Sequence, residues 1–337
     1  MAALQDASVG TAVESTYGTP VTVTRWYEFV DESFGYEKTV KQGAGIRVGS
    51  KVARSGRRVV TQTQAKGDLS VELTSKGLGT LLQTCFGAGV SSLVSGSTYQ
   101  QNFTLGTGAT PPSMTVQKGL VRADGTVDPY TYNGGVVDSF EIDCPHGDIA
   151  KLKAAFIFRD MLTATAYAAP SYVTGGSLFH FAQGTITVGG TVTAPTTTAL
   201  ATGGTAVANV RDFNVKVDNK LTADRFTYNA AGKMLSPTYG LRDIGGKLTI
   251  EYTDRTLTDA YIADTPLALT LTFTTTEALS TGFSQLQITL PEIKLNGEVP
   301  KANGTDLITL SVDFDVLDNL TATQPIWVSL RTADTAL

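Results

Sequence analysis

Histidine, cysteine and long apolar runs are all scarce in this chain. Of its 337 residues two are histidines, His146 and His180, and two are cysteines, Cys85 and Cys144. So few imidazoles leave a histidine-based triad or a His-rich metal site poorly supplied. Two cysteines make no disulfide scaffold and read as buried thiols of a chain folded in a reducing cytoplasm. No run of about 18 apolar residues is present, which excludes a membrane-spanning helix. The opening MAALQDASVG lacks the basic start and apolar stretch of a signal peptide, so export by that route is not expected. Stretches rich in Glu, Lys and Leu, the usual material of helices, are hard to find. Gly, Thr and Ala are abundant instead, which favours strands and turns.

Motifs that could carry chemistry are thin. Cys144-Pro145-His146-Gly147-Asp148 suggests a metal corner but reads better as a turn between strands. Gly43-Ala44-Gly45-Ile46-Arg47-Val48-Gly49 is glycine-rich, yet it misses both the dinucleotide fingerprint and the P-loop Lys-Ser/Thr, so a flexible loop is expected. Glu141 with Asp143, and Asp313 with Asp315, are acids two apart on one strand, whereas glycosidase carboxylates face each other across a cleft. No catalytic residue, metal or cofactor is expected.

What is present is alternation. Hydrophobic residues make up 42% of the chain and charged ones 17%, enough for a packed core without long charged tails. Period-2 patterns, the mark of strands with one buried face, occur at Leu69–Leu73, Phe140–Asp143, Leu248–Tyr252 and Val312–Val316. Short helices are expected after two of these strands. Ser75 is placed to cap one bearing Leu78, Leu81 and Leu82, and Asp254 one bearing Leu257, Ala260 and Tyr261.

The strands recur as a repeat. Gly67-Asp68-Leu69-Ser70-Val71-Glu72-Leu73-Thr74 matches Gly246-Lys247-Leu248-Thr249-Ile250-Glu251-Tyr252-Thr253 at an offset of 179 residues, which also carries Phe34 onto Phe213. Asp160–Thr165 matches Asp318–Thr323, extending upstream through Phe156 and Phe314 and through Leu152 and Leu310. The matched pieces keep their order, so the chain reads as a tandem duplication of one β-rich unit. Residues 1–166 are expected to form the first unit and 167–337 the second, joined through a Thr/Gly/Ala-rich stretch.

Charge is distributed unevenly. Net charge is −5, but the segment 38–66 holds Lys38, Lys41, Arg47, Lys51, Arg54, Arg57, Arg58 and Lys66 and no acid at all. The remainder carries 18 basic against 31 acidic residues, or −13. Three readings of this insert stand. A nucleic-acid arm is disfavoured because Arg47 to Arg58 contains no aromatic residue for base stacking. A solvated loop with no role is the second. An arm that docks on the acidic surface of another copy is the third, and the charge asymmetry favours it.

Glu14-Ser15-Thr16-Tyr17-Gly18-Thr19-Pro20-Val21, followed by Arg25-Trp26-Tyr27-Glu28-Phe29 and Glu32-Ser33-Phe34, resembles the opening of siphophage tail tube proteins. The second half resembles the same family at Ser236-Pro237, Gly246–Asp254, Asp259-Ala260-Tyr261, Thr265–Leu269 and Ile288–Pro291. The resemblance runs from about 7 to 332. It implies a mainly β fold of sandwich or barrel-like units, each with a flanking helix, shared with type VI secretion tubes. It also implies a non-enzymatic subunit of a virion tail, assembled in the host cytoplasm. Six such units would surround a lumen, so three copies of a duplicated chain would close each ring. A long loop, here 38–66, would reach into the neighbouring ring. The implied partners are further copies of the chain, a tape measure protein inside the tube, tail terminator and distal tail proteins at its ends, and genomic DNA in transit. No membrane insertion is implied. Within that resemblance Glu72, Glu141, Asp143, Glu251, Asp313 and Asp315 are candidates for lining the lumen. The rival reading is a carbohydrate-binding β-sandwich module, which should show exposed aromatic residues clustered on loops, whereas Trp26, Tyr27 and Phe29 lie in a strand-like run.

Overall fold

A computed structural model describes residues 6–207, 209–297, 299–300 and 308–337. The first part of the chain runs β1 (Ser8–Val13), β2 (Arg25–Tyr27), β3 (Phe29–Glu32), β4 (Gly35–Gln42), β5 (Arg58–Glu72), helix α1 (Gly79–Phe86), β6 (Gly87–Ser95), β7 (Thr98–Leu105), β8 (Met114–Val121), β9 (Val127–Cys144), β10 (Lys151–Phe158) and β11 (Asp160–Leu162). The second runs β12 (Gly184–Val188), β13 (Val192–Thr193), β14 (Thr202–Gly203), β15 (Val210–Asp218), β16 (Asp243–Glu251), helix α2 (Thr256–Ile262), β17 (Leu267–Ala278), β18 (Phe283–Asn296), β19 (Thr309–Val316) and β20 (Trp327–Thr332). The protein is mainly β, and all its registered strand pairs are antiparallel.

The two parts pass through the same order of pairings. In the first, β1 pairs β8, β8 pairs β9, β9 pairs β10 and β11, β10 pairs β5, and β5 pairs β3 and β4. In the second, β12 pairs β17, β17 pairs β18, β18 pairs β19 and β20, β19 pairs β16, and β16 pairs β15. The hairpin of β6 and β7 has no counterpart in this order and is an addition of the first part.

Equivalent glycines explain why the sequence repeats where it does. Gly67 lies opposite Phe156, and Gly246 lies opposite Phe314. A Cβ on Gly67 would meet the Phe34 Cα at 2.6 Å, and one on Gly246 would meet the Asn214 carbonyl at 2.2 Å. Neither position has room for a side chain, so the neighbouring phenylalanine covers the gap. The covering rings in turn meet Phe34 at 6.0 Å and Phe213 at 6.4 Å.

The long strands β9 and β18 each serve two layers. Residues Thr131–Asn133 of β9 pair β11, and Val136–Asp143 pair β10. The change falls at Gly134, whose φ of 63° suits glycine. In β18 the hand-over from β17 to β19 falls around Pro291, where a residue without an N–H interrupts the ladder. The main layer is therefore β4/β3–β5–β10–β9–β15–β16–β19–β18. Its inner face places Leu69, Phe140, Phe213, Leu248, Val312 and Phe314 in one core cluster. α1 covers that face, with Phe86 packed on Phe140 at 4.7 Å between ring centres.

Three local expectations change. Ser75 does not cap α1: its hydroxyl bonds the Glu277 carboxylate, and α1 begins four residues later without a side-chain cap. A partner from the second part outcompetes the free helix end. Asp254, one residue before the N-cap position Arg255, accepts the Thr256 N–H at 2.8 Å and holds the turn into α2, which has no side-chain cap. The segment 38–66 is also not a loop throughout. Residues Lys38–Gln42 and Arg58–Thr63 pair across one bulge, between Thr39 and Val40, as a protruding two-stranded ribbon, and 43–57 holds no strand.

Candidate functional site

The outer face of the main layer gathers all six candidate acids. Cross-strand partners share a face, and the register gives one row of Glu72, Lys151, Asp143, Asn214, Lys247, Asp313 and Asn296. The next row contains Ser70, Lys153, Glu141, Lys216, Gly245, Asp315 and Lys294, and Glu251 lies on the same face opposite Thr309. The face is therefore not uniformly acidic, because lysines alternate with carboxylates along each row. Lys151 and Lys153 alternate with Leu152 and Ala154 in the sequence as legibly as the acids alternate with their apolar neighbours.

Several of these lysines are held by carboxylates. Lys153 pairs Asp68 at 3.1 Å, Lys151 pairs Asp148 at 2.8 Å, and Lys294 pairs Asp264 at 2.5 Å. Glu141 accepts a bond from the Asn214 amide. Burial, joined by the like charges of Glu141 and Asp212, holds the Asp143 carboxyl above the usual carboxylate range.

The basic segment departs from the body at one end of this layer. From residue 41 to 61 every side chain is exposed except the half-buried Ser50. The irregular part closes on itself. Gly43 N–H donates to the Arg57 carbonyl at 2.9 Å, and the Gln42 amide donates to the Arg54 carbonyl at 3.1 Å. A Cβ on Gly45 would strike the Arg57 guanidinium at 1.9 Å, and Gly49 turns the tip with φ at 79°. Among the described residues only Lys66 of the eight bases has an ion-pair partner, Glu37 at 2.9 Å. Lys38, Lys41, Arg47, Lys51, Arg54, Arg57 and Arg58 present their charge to solvent.

Residues that might have supported catalysis sit elsewhere. Both cysteines are free and buried, and burial raises the Cys85 thiol and pushes Cys144 up to about 11, so neither is a ready nucleophile. His146 is on a turn closed by Asp148 N–H and the Pro145 carbonyl at 3.2 Å, with its ring edge-on to Phe181. His180 makes a single bridge with Ile149 and opens a 3-10 turn. Among the described residues no group of three or more His, Cys, Asp or Glu could hold a metal. Tyr27 is buried with its hydroxyl 3.1 Å from Thr11, so the Trp26–Phe29 run is not an exposed aromatic cluster. No described helix is long and apolar enough to cross a membrane.

The chain is an antiparallel β-sandwich with a polar sheet face and a projecting basic ribbon. The model of the phage tail tube protein family matches residues 5–316, and the chain belongs to that family. It is a structural component of a virion tail. A search of curated proteins finds no match.

Proposed function

We propose that three copies of this chain close a pseudo-sixfold ring and that such rings stack into the tail tube through which DNA passes. The supporting observation is that two parts of one chain share one order of strand pairings and are themselves joined edge to edge. β15 lies along β9 over six registered positions, from Phe213 opposite Cys144 to Asp218 opposite Ser139. The strands that hold the place of β15 in the first part are β3 and β4. Among the described residues they pair only with β5. At the other end of the layer Lys294–Asn296 of β18 pair only with β19. Each copy therefore offers one edge of each kind, and repeating the internal join between copies closes a ring. In this reading residues 1–166 and 167–337 are the two units of the ring.

The polar face lines the bore. Phosphates meet Glu72, Glu141, Asp143, Glu251, Asp313 and Asp315, while Lys151 and Lys153 are already engaged by carboxylates. Each phosphate–cation contact adds salt-dependent affinity, and with Lys151, Lys153 and Lys294 paired only Lys216 and Lys247 of the lysines in these rows are without an ion-pair partner among the described residues, so few cations hold DNA back. The basic segment 38–66 links ring to ring across the otherwise acidic surface. Inside the tube the partner is a tape measure protein, and tail terminator and distal tail proteins cap its ends. Electron cryomicroscopy of tubes assembled from the purified chain tests the ring. Three copies per ring with the six acids facing the bore are expected. A different copy number, or all six acids on the outer wall, overturns the reading.

A further inference from the structure

The tip of the basic ribbon is apolar as well as charged. Ile46 and Val48 are 99% exposed and Val52 is 81% exposed. Single exposed aliphatic residues are ordinary, but three within seven residues on one projecting segment form a contact surface without a partner. Surface charge pairs are screened by salt, whereas apolar burial is not. Charge alone therefore does not account for what this tip carries.

A matching cavity lies at the opposite end of the same layer. It holds about 240 Å³ and is lined by Phe181, Ile186, Val210, Leu271 and Phe273 beside Cys144. It is smaller than the roughly 300–1,000 Å³ of a usual small-molecule site, and its scale is that of branched aliphatic side chains. The register fixes its position. β5 leaves the irregular tip of the ribbon at Arg58 and ends at Glu72, which lies opposite Lys151, which lies opposite Asp143, next to Cys144. Tip and cavity are thus separated along β5 by about 45 Å at a strand's rise per residue.

The rim supplies the complementary charge. Asp212 lines the cavity and accepts the His146 N–H at 2.9 Å. The nearby bases are already occupied, Lys151 with Asp148 at 2.8 Å and Arg211 with Glu251 at 3.6 Å. Among the described residues Asp212 has no ion-pair partner within 4.0 Å. Each copy carries the donor at one end and the acceptor at the other, which is the arrangement of a head-to-tail contact that propagates without closing.

We propose that Ile46 and Val48 of one copy seat in the cavity between Ile186, Val210 and Phe273 of a copy in the next ring, with Arg47 at Asp212. The inference rests on reading the ribbon as the ring-to-ring connector, and it names the seat. Two experiments on the full chain separate the two. The double variant Ile46→Ser with Val48→Ser keeps every charge. Its critical concentration for tube formation should rise at least tenfold, equally at low and high salt. The pair Val48→Cys with Val210→Cys should give a ladder of disulfide-linked copies when tubes are oxidised, whereas Val48→Cys with Val90→Cys should not. Loss of tubes in the double serine variant without the Val48–Val210 ladder overturns the seat and leaves the connector standing. Normal tubes from the double serine variant overturn the seat as well. If reversing the charges of Arg47, Lys51, Arg54, Arg57 and Arg58 also leaves tubes normal, the connector falls with it.

Discussion

The chain holds two connectors of equal length at equivalent places, 38–66 and 217–245, and they behave in opposite ways. The first rises from the body as an exposed ribbon with seven unpaired bases. The second folds back. Asn219 N–H donates to the Asp138 carbonyl at 2.8 Å and its amide to the Val137 carbonyl at 3.0 Å. Tyr239 N–H donates to Ala109 at 3.2 Å, and Met234 is fully buried. Its charges are balanced locally, with Lys220 on Asp218 at 2.6 Å and Lys233 on the nearly buried Asp160. The middle of the second lies against the base of the first, where Thr63 N–H donates to the Gly232 carbonyl at 2.9 Å. Within one strand framework, acids and buried apolar residues fasten a connector, and their absence sends it outward.

The framework itself should respond alike in both parts. Phe156→Ala and Phe314→Ala each remove a buried ring over an equivalent glycine, and each should cost about 3–5 kcal/mol. Denaturant unfolding measures this, and a loss confined to one of them breaks the equivalence. The connectors should respond unlike each other. Lys233→Met strands the Asp160 carboxylate and should cost about 1–3 kcal/mol, while Arg54→Ala on the ribbon should stay within about 0.5 kcal/mol. Equal costs would mean that the ribbon is held as firmly as its counterpart.

The smallest effect concerns a clasp between the parts. Glu277 accepts the Ser75 hydroxyl, pairs Lys76 at 2.9 Å and accepts Ser284 at 3.2 Å. Burial alone would raise its carboxyl, but these bonds from Ser75, Lys76 and Ser284 outweigh it and hold it below the usual range. A carboxylate held low in the folded state stabilises fully above its ordinary value, and that contribution is lost as pH falls through the folded value. Glu277→Gln should therefore lower stability at neutral pH and flatten the acid side of the stability profile. A variant whose acid side keeps the original slope would show that the clasp carries no part of it.

The alternating strands were legible because each has one buried and one wet face. Leu69–Glu72, Leu248–Glu251 and Val312–Val316 follow their patterns residue by residue. The repeat was legible because glycine is needed wherever Phe34 or Asn214 crosses closely. Which residues of different strands become neighbours was not legible, since register is set by pairing across the chain. That is why the acids were singled out without the lysines beside them. It is also why Ser75 read as a helix cap, when its partner lies 202 residues away at Glu277. The ribbon hid its own strands because neither of its faces is buried, which leaves no alternation to read.

The contrast between the connectors is tested most directly by changing Arg47, Lys51, Arg54, Arg57 and Arg58 together to Glu and imaging the purified chain by negative stain at physiological salt. All five side chains are exposed, so the variant should keep the circular dichroism and unfolding midpoint of the parent, yet form no tubes. Normal tubes from a folded variant would contradict the assignment of the ribbon as the connector between rings.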